Sequence, residues 1–327
     1  MYFERFDFRR PFIFLAAILF LQIAVVAQNK TDDEEDVIKV DTNLVVLNVA
    51  VTDVKGNSVT GLKRTDFKLF DNGVEQDITS LDSIFTAEEA PFAAVVLLDT
   101  SGSMEARIAL ARSAGIKFLE NLRSKDSAAV YNFDSEINQI QEFSSSRDLH
   151  PTAFGLKGKG MTVLNDAVIE AAKALADREE SRRAIVVLSD GADTLSKASQ
   201  AKALKAALAV NAVIYTVDMS AIDFGPGAAS ITSGGSNARM ERLKSVNALK
   251  AFAEKSGGRF VPVAGGEALR EAFRQIAQEL GTVYTIGYEP KNLAPDGKWH
   301  TIEVKVARPG ATVRSRKGYN APRKPKS

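Results

Sequence analysis

Five short apolar runs, at residues 92–98, 128–133, 184–188, 212–217 and 260–263, punctuate the middle of this chain. Each is nearly continuous in Val, Ile, Leu, Ala, Tyr and Phe, a pattern suited to strands buried on both faces of a parallel sheet. Between the runs the apolar spacing becomes helical. Leu164, Ala167, Val168, Ala171 and Leu175 make one stripe, and Leu269, Phe273, Ile276 and Leu280 make another. Alternation of buried strand and amphipathic helix predicts an α/β fold over residues 91–281: a doubly wound, mostly parallel sheet flanked by helices. Residues 137–143 follow their neighbour too closely for a crossover helix, which predicts an antiparallel edge strand.

The flanks read as β. Residues 44–51 are rich in Val and Leu, and Lys55-Gly56-Asn57 marks a turn. Runs at 67–70 and 74–78 enclose Asp71-Asn72-Gly73, a strong hairpin signal. Beyond Leu280, residues 283–288 and 302–307 alternate around an Asp296-Gly297 turn, and 312–316 suit a third strand. Neither flank, 37–85 or 282–319, holds enough strands for a stable sheet of its own. Both linkers of an α/β domain with this order leave from the edge where its parallel strands begin. The flanks are therefore expected to pair into one small, discontinuous, β-sandwich-like domain, away from the edge where those strands end.

Residues 1–27 carry Arg5, Arg9 and Arg10, then an apolar run, then Val25-Val26-Ala27 before Gln28. That is the form of a secretory signal peptide, with a run shorter than the ~20 apolar residues of a spanning helix. An uncleaved anchor is the alternative. Residues 28–36 form an acidic leader expected to be disordered, and 320–327 a basic, solvated tail. The mature protein is thus expected to be secreted or periplasmic, with no membrane span.

Composition narrows the function. The 327 residues are 45% hydrophobic, enough for a sizeable core without staples. Lys plus Arg is 42 and Asp plus Glu is 41, so no global field draws nucleic acid or an anionic membrane. There are no cysteines and only two histidines, His150 and His300, neither in a supporting motif. Thiol catalysis, Cys-ligated zinc and disulfide frameworks are excluded.

One constellation stands out. The 92–98 run ends in Asp99-Thr100-Ser101-Gly102-Ser103 and enters a helix; Thr162 precedes the next long helix; Asp190 follows the 184–188 run. In open α/β sheets ligands bind at the edge where strands end. Each residue alone reads better as a helix cap or a turn. Together, delivered to one sheet edge by three loops expected to connect strand to helix, Asp99, Ser101, Ser103, Thr162 and Asp190 read as hard oxygen ligands for Mg²⁺, with Mn²⁺ or Ca²⁺ as alternatives. The Gly158-Lys159-Gly160 stretch lacks P-loop spacing and is expected to be a flexible approach to Thr162. The segment 220–237, rich in Gly and Ser, leaves the same edge and is long for a connection; it reads either as a disordered insertion or as a mobile rim that selects a partner.

These five residues resemble the metal-ion-dependent adhesion site of von Willebrand factor type A domains, over about residues 91–281. Met161 stands where that motif has its second glycine. The flanks, with Val59-Thr60-Gly61-Leu62, Lys298-Trp299 and Arg316-Lys317-Gly318-Tyr319, are similar to secreted von Willebrand A-related proteins of Acidobacteria. The resemblance implies that not both carboxylates bind the cation directly. The hydroxyls are neutral, so the cation would keep positive charge and an open position for an Asp or Glu of a partner protein. A phosphatase would carry Asp where Ser101 stands, and a hydroxyl is a poor acid–base there, so no enzyme is expected. The alternative to a metal-dependent binding module is a scaffold of an envelope assembly in which the cation only orders loops.

Overall fold

A computed structural model describes residues 44–81, 90–221, 236–292 and 295–322. The expected signal peptide, the acidic leader, residues 222–235 of the Gly-rich segment and residues 323–327 of the tail lie outside the described residues. The described residues all fall within one compact unit. Its N-terminal flank holds β1 (Val45–Thr52), β2 (Phe67–Asp71), β3 (Val74–Gln76) and β4 (Ile78–Leu81). The α/β part begins with β5 (Phe92–Asp99), α1 (Ile108–Glu120), β6 (Ser127–Phe133), β7 (Ile137–Ser144) and α2 (Leu164–Ala176). It continues with β8 (Arg182–Ser189), α3 (Gln200–Ala209), β9 (Ala212–Asp218), α4 (Ser236–Ser256), β10 (Phe260–Pro262) and α5 (Gly266–Thr282). The C-terminal flank adds β11 (Tyr284–Tyr288), β12 (Trp299–Val306), β13 (Thr312–Arg314) and β14 (Gly318–Asn320). No described helix is long and apolar enough to cross a membrane.

The α/β part is built on a six-stranded sheet of order β10-β9-β8-β5-β6-β7, parallel except for β7. Period-two geometry divides β5 between two cores. Phe92, Ala94, Val96 and Leu98 pack with Phe118 of α1 and Phe273 of α5; Ala93, Val95 and Leu97 pack with Val168 of α2 and Phe252 of α4. All eight β5 residues are buried. Such burial on both faces is why the run is continuously apolar. The 260–263 run departs from this expectation. Its strand, β10, is three residues long and only partly buried, because it closes the sheet as an edge.

Strands of both flanks interleave in two four-stranded antiparallel sheets, β13-β1-β11-β4 and β14-β12-β2-β3. In the first, Leu47 of β1 faces Ile286 of β11; in the second, Leu69 of β2 faces Val304 of β12. Both sheets contribute to a single core containing Leu47, Leu69, Ile286, Tyr288 and Ile302. The 74–78 run, read as one strand, breaks at Asp77: β3 stays with β2, and β4 passes to the other sheet beside β11. A strand that changes sheets must turn a corner, which an alternation pattern does not reveal. The expected 312–316 strand ends at Arg314, and Gly318–Asn320 is an additional strand.

A buried polar cluster ties the sandwich together. Asp71 accepts hydrogen bonds from the Tyr288 and Tyr319 hydroxyls on Oδ2, both at 2.9 Å, and its Oδ1 lies 2.8 Å from His300 Nδ1. Asp71 and Tyr319 come from opposite ends of the chain, so this carboxylate links the two flanks.

The sandwich meets the α/β part where the parallel strands begin. Asn48 Nδ2 donates to Asn211 O at 3.1 Å, and Arg316 Nη1 donates to Asn211 Oδ1 at 3.1 Å. Arg314 Nη2 lies 2.6 Å from Glu279 Oε2 of α5. At Gly257, φ is +89° and an added Cβ would fall 2.4 Å from the Ser315 carbonyl carbon, so only glycine permits this approach. One residue, Val283, joins α5 to β11. The eight residues of β5 set this contact roughly 25 Å from the edge that bears Asp99.

Two outcomes are expected. Ending the chain after Gly281 removes β11 and β12, the inner partners of β1 and β2, so hydrogen exchange should show residues 44–81 unprotected while β5, β6 and β8 stay protected. Continued protection of 44–81 would mean that the flanks fold independently. Asp71→Ala strands three buried polar partners and should lower stability by about 2–5 kcal/mol in urea unfolding; a loss under about 1 kcal/mol would show that the cluster is dispensable.

Candidate metal centre

β5 lies where the winding of the sheet reverses: the chain leaves it for β6 on one side and later returns to β8 on the other. Loops leaving β5 and β8 therefore diverge and open a crevice at the ends of those strands. Asp99, the last residue of β5, sits in that crevice with no exposed surface. Its Oδ1 accepts the Ser101 backbone N–H at 2.9 Å, and its Oδ2 accepts the Ser189 hydroxyl at 2.5 Å. Ser101 is buried as well, and its hydroxyl oxygen lies 3.2 Å from that of exposed Ser103.

The capping explanation does not hold for Ser101 or Thr162. Ser101 precedes a short 3-10 turn, Gly102–Arg107, but its side chain makes no capping bond. Val163, not Thr162, occupies the cap position of α2. Asp190 follows β8 and is half-buried; its Oδ1 accepts the Ala192 N–H at 3.2 Å. Gly191 has φ +81°, and an added Cβ would lie 2.6 Å from Ser245 O, so this bend passes tightly under α4.

Thr162 arrives differently from the sequence reading. The expectation placed it in a strand-to-helix loop, but the strand before it is antiparallel β7, which runs away from this edge. Residues 145–163, including a 3-10 turn at Pro151–Gly155, carry the chain back. The return is pinned: Lys159 N–H donates to Thr100 O at 3.0 Å, Gly102 N–H to Gly160 O at 3.2 Å, and Val163 N–H to Asp134 O at 3.0 Å. The Gly158-Lys159-Gly160 stretch is consequently not a flexible approach. A Cβ on Gly158 would lie 2.4 Å from Glu105 Cα, and Gly160 needs φ +72°. Thr162 is buried; its carbonyl accepts from Thr194 and Leu195 N–H at 3.0 and 2.9 Å, and its own N–H donates to Thr194 Oγ1 at 2.9 Å. The Thr162 segment is thus tied to the Asp99 loop on one side and to the Asp190 loop on the other.

Sequence reasoning missed the residues that hold these loops: Ser189, Thr194, Asn132 and Ser135. Asn132 Nδ2 donates to Thr100 Oγ1 at 3.0 Å, and Ser135 Oγ accepts the Met161 N–H at 2.9 Å. Asn132, a polar residue within an otherwise apolar run, was the available signal.

Electrostatically the crevice is acidic. Burial, reinforced by the negative charge of Asp190, pushes the Asp99 carboxyl up to about 7 despite hydrogen bonds from Ser101 and Ser189. None of the ion pairs among the described residues involves Asp99 or Asp190. No group of three His, Cys, Asp or Glu side chains among the described residues could hold a metal. Any cation at this edge would have carboxylate and hydroxyl oxygens as neighbours, a donor set that fits a hard ion such as Mg²⁺.

No curated protein sequence matches the chain. Among solved structures, a von Willebrand factor type A protein from Catenulispora acidiphila superposes with a TM-score of 0.48 at 13% identity, over 86% of this chain and 74% of that one. The vWF domain of the type V pili tip protein Mfa5 from Porphyromonas gingivalis gives 0.45 at 14%, over 58% and 94%. The PilB minor pilin from Streptococcus sanguinis gives 0.42 at 15%, over 59% of this chain; the chain spans 62% of that pilin's length. The model of the von Willebrand factor type A domain matches residues 94–192, from within β5 to just past Asp190. Over residues 94–192, which run from β5 through β8, the chain carries a von Willebrand factor type A domain.

Proposed function

We propose that the chain is an exported, metal-dependent protein-binding module without catalysis. Asp99, Ser101, Ser103, Thr162 and Asp190 hold a divalent cation, Mg²⁺ first, and an Asp or Glu of a partner completes its coordination. The observation that carries this reading is the buried Asp99 carboxylate beside Asp190, two like charges that no side-chain cation among the described residues pairs with. A divalent ion relieves that repulsion, and the neutral hydroxyls leave it with positive charge for an acidic group outside. Support for a protein ligand comes from Met161, next to Thr162 in the chain, and Leu195, whose N–H bonds the Thr162 carbonyl; these large apolar residues are exposed by 48% and 46%. Exposed apolar surface beside a polar site is characteristic of contact surfaces. The position of Ser101 disfavours phosphoryl transfer through an aspartyl nucleophile, because the acid–base carboxylate that chemistry needs is absent there.

Capture of partners from cell-envelope extract, with and without Mg²⁺, tests the reading. EDTA and Asp99→Ala should each abolish the captured partner while the circular dichroism stays that of the folded protein. Unchanged capture under both conditions would mean that the cation orders loops only and the contact surface is elsewhere. A second outcome follows from the Asp99 shift. Its folded value of about 7 lies above the unfolded 3.8, so the folded chain binds more protons between these values. Stability without metal should therefore fall as pH rises from about 4 to about 7, by on the order of a few kcal/mol. Millimolar Mg²⁺ should flatten the profile, as should Asp99→Asn. Thermal midpoints at a series of pH values check this; a metal-free profile identical to that of Asp99→Asn would count against a strained acidic pair.

A further inference from the structure

The opposite edge of the sheet holds a cleft that takes no part in the site above. It lies between the 55–60 turn of the sandwich and the C-terminal half of α5 and has a volume of about 600 Å³, within the range of small-molecule sites. Four cationic residues, Lys55, Arg123, Arg259 and Arg274, line it against two acids, Glu271 and Glu279.

Both acids are already engaged. Glu279 accepts the Tyr215 hydroxyl at 2.8 Å on Oε1, and its Oε2 lies 2.6 Å from Arg314 Nη2. Glu271 accepts Arg274 Nε at 2.7 Å and Gln275 Nε2 at 2.7 Å. Arg123 is held by Asp126, with Nε donating at 2.8 Å. Arg259 is different. Its Nε and Nη2 are buried and have no hydrogen-bond partner among the described residues, and the nearby Glu279 Oε2 stands 4.0 Å from Nε. A guanidinium does not give up its charge, and buried N–H groups left unmatched are costly. The side chain as a whole is 23% exposed, and a carboxylate or phosphate meeting its exposed part would balance a charge that Glu279, already bonded to Arg314 and Tyr215, balances only in part. The remaining lining consists largely of amide and hydroxyl side chains such as Asn57, Thr60 and Gln278, with no aromatic residue among those described. This surface offers nothing for a nucleobase to stack on and much for hydroxyl groups.

We propose that this cleft binds an anionic sugar, with its carboxylate or phosphate on Arg259 and its hydroxyls on the surrounding amide and hydroxyl groups. The site draws Lys55 from the sandwich and Arg259 from the α/β part, so its occupant bridges the two. It does not depend on a cation at Asp99.

Titration calorimetry of the intact chain with glucuronate and glucose 6-phosphate, and with glucose and inorganic phosphate as controls, tests this. Saturable binding of glucuronate or glucose 6-phosphate is expected, with no measurable heat from glucose; the stronger of the two identifies the anionic group. Arg259→Gln should weaken binding at least about tenfold, through loss of a charge-assisted bond. Lys55→Gln, an exposed change that leaves the fold alone, should weaken it roughly twofold to fivefold. EDTA and Asp99→Ala should leave the affinity unchanged. Absence of binding to either sugar up to about 10 mM overturns the proposal. Affinity unaltered in both variants does so too, as does inorganic phosphate binding as tightly as the sugars.

Discussion

A carboxylate with no exposed surface, at the end of a strand buried on both faces, is the constraint around which the upper edge of this molecule is arranged. β5 can be buried on both sides only if helices cover both faces of the sheet, and it lies between β6 and β8 because the winding reverses there. The reversal makes the loops after β5 and β8 diverge, leaving Asp99 in a crevice and not under a helix. Within the crevice Asp99 accepts two hydrogen bonds, one from its own loop through Ser101 and one from the β8 end through Ser189. Those bonds favour the ionised form, yet burial and Asp190 outweigh them. The balance leaves a buried carboxyl whose ionised form a nearby positive charge would favour.

The architecture of the α/β half was readable from residue pattern because its strands are buried on both faces. A run such as residues 92–98 has no polar alternative and can be placed without knowing its neighbours. The flanks were readable in part. Their pairing followed from strand count and linker direction, but the passage of β4 to the second sheet depends on how two sheets share a corner, and nothing in the Val74–Ile78 alternation records it. Edge strand β10 is not legible for a different reason: three apolar residues look alike at the centre of a sheet and at its rim.

At the candidate site, local spacing identified Asp99, Ser101 and Ser103, since they share one loop. Thr162 was placed near Asp99 by topology, but the path assumed for it was wrong. It reaches the edge along the 145–163 return, and its position depends on backbone bonds to Thr100, Gly102 and Asp134 that have no signature in side-chain identity. The glycines do carry one. In sequence Gly158 and Gly160 suggest freedom, whereas each answers a steric demand, a close approach to Glu105 in one case and a left-handed backbone in the other. In a loop that must hold a threonine in place, glycine is what allows the chain to fit tightly.

The two edges of the sheet are chemically opposite. Where the strands end, buried Asp99 feels the negative charge of Asp190 and is bonded by Ser101 and Ser189; where they begin, arginines gather around Glu279 and the sandwich docks. Glu279 holds Arg314 of the sandwich, Tyr215 of β9 lies on its other oxygen, and Arg259 is left at 4.0 Å with donors unspent. A buried ion pair of this kind adds little net stability but is costly to break, so it fixes how the sandwich is seated more than how tightly. With one residue between α5 and β11, rotation of the sandwich would have to break the Arg314–Glu279 contact and carry the end of α5 with it. The seating of the sandwich and the position of α5 are therefore one degree of freedom. Phe273 of α5 packs in the same core as Leu98, one residue before Asp99, so a single core extends between the two edges.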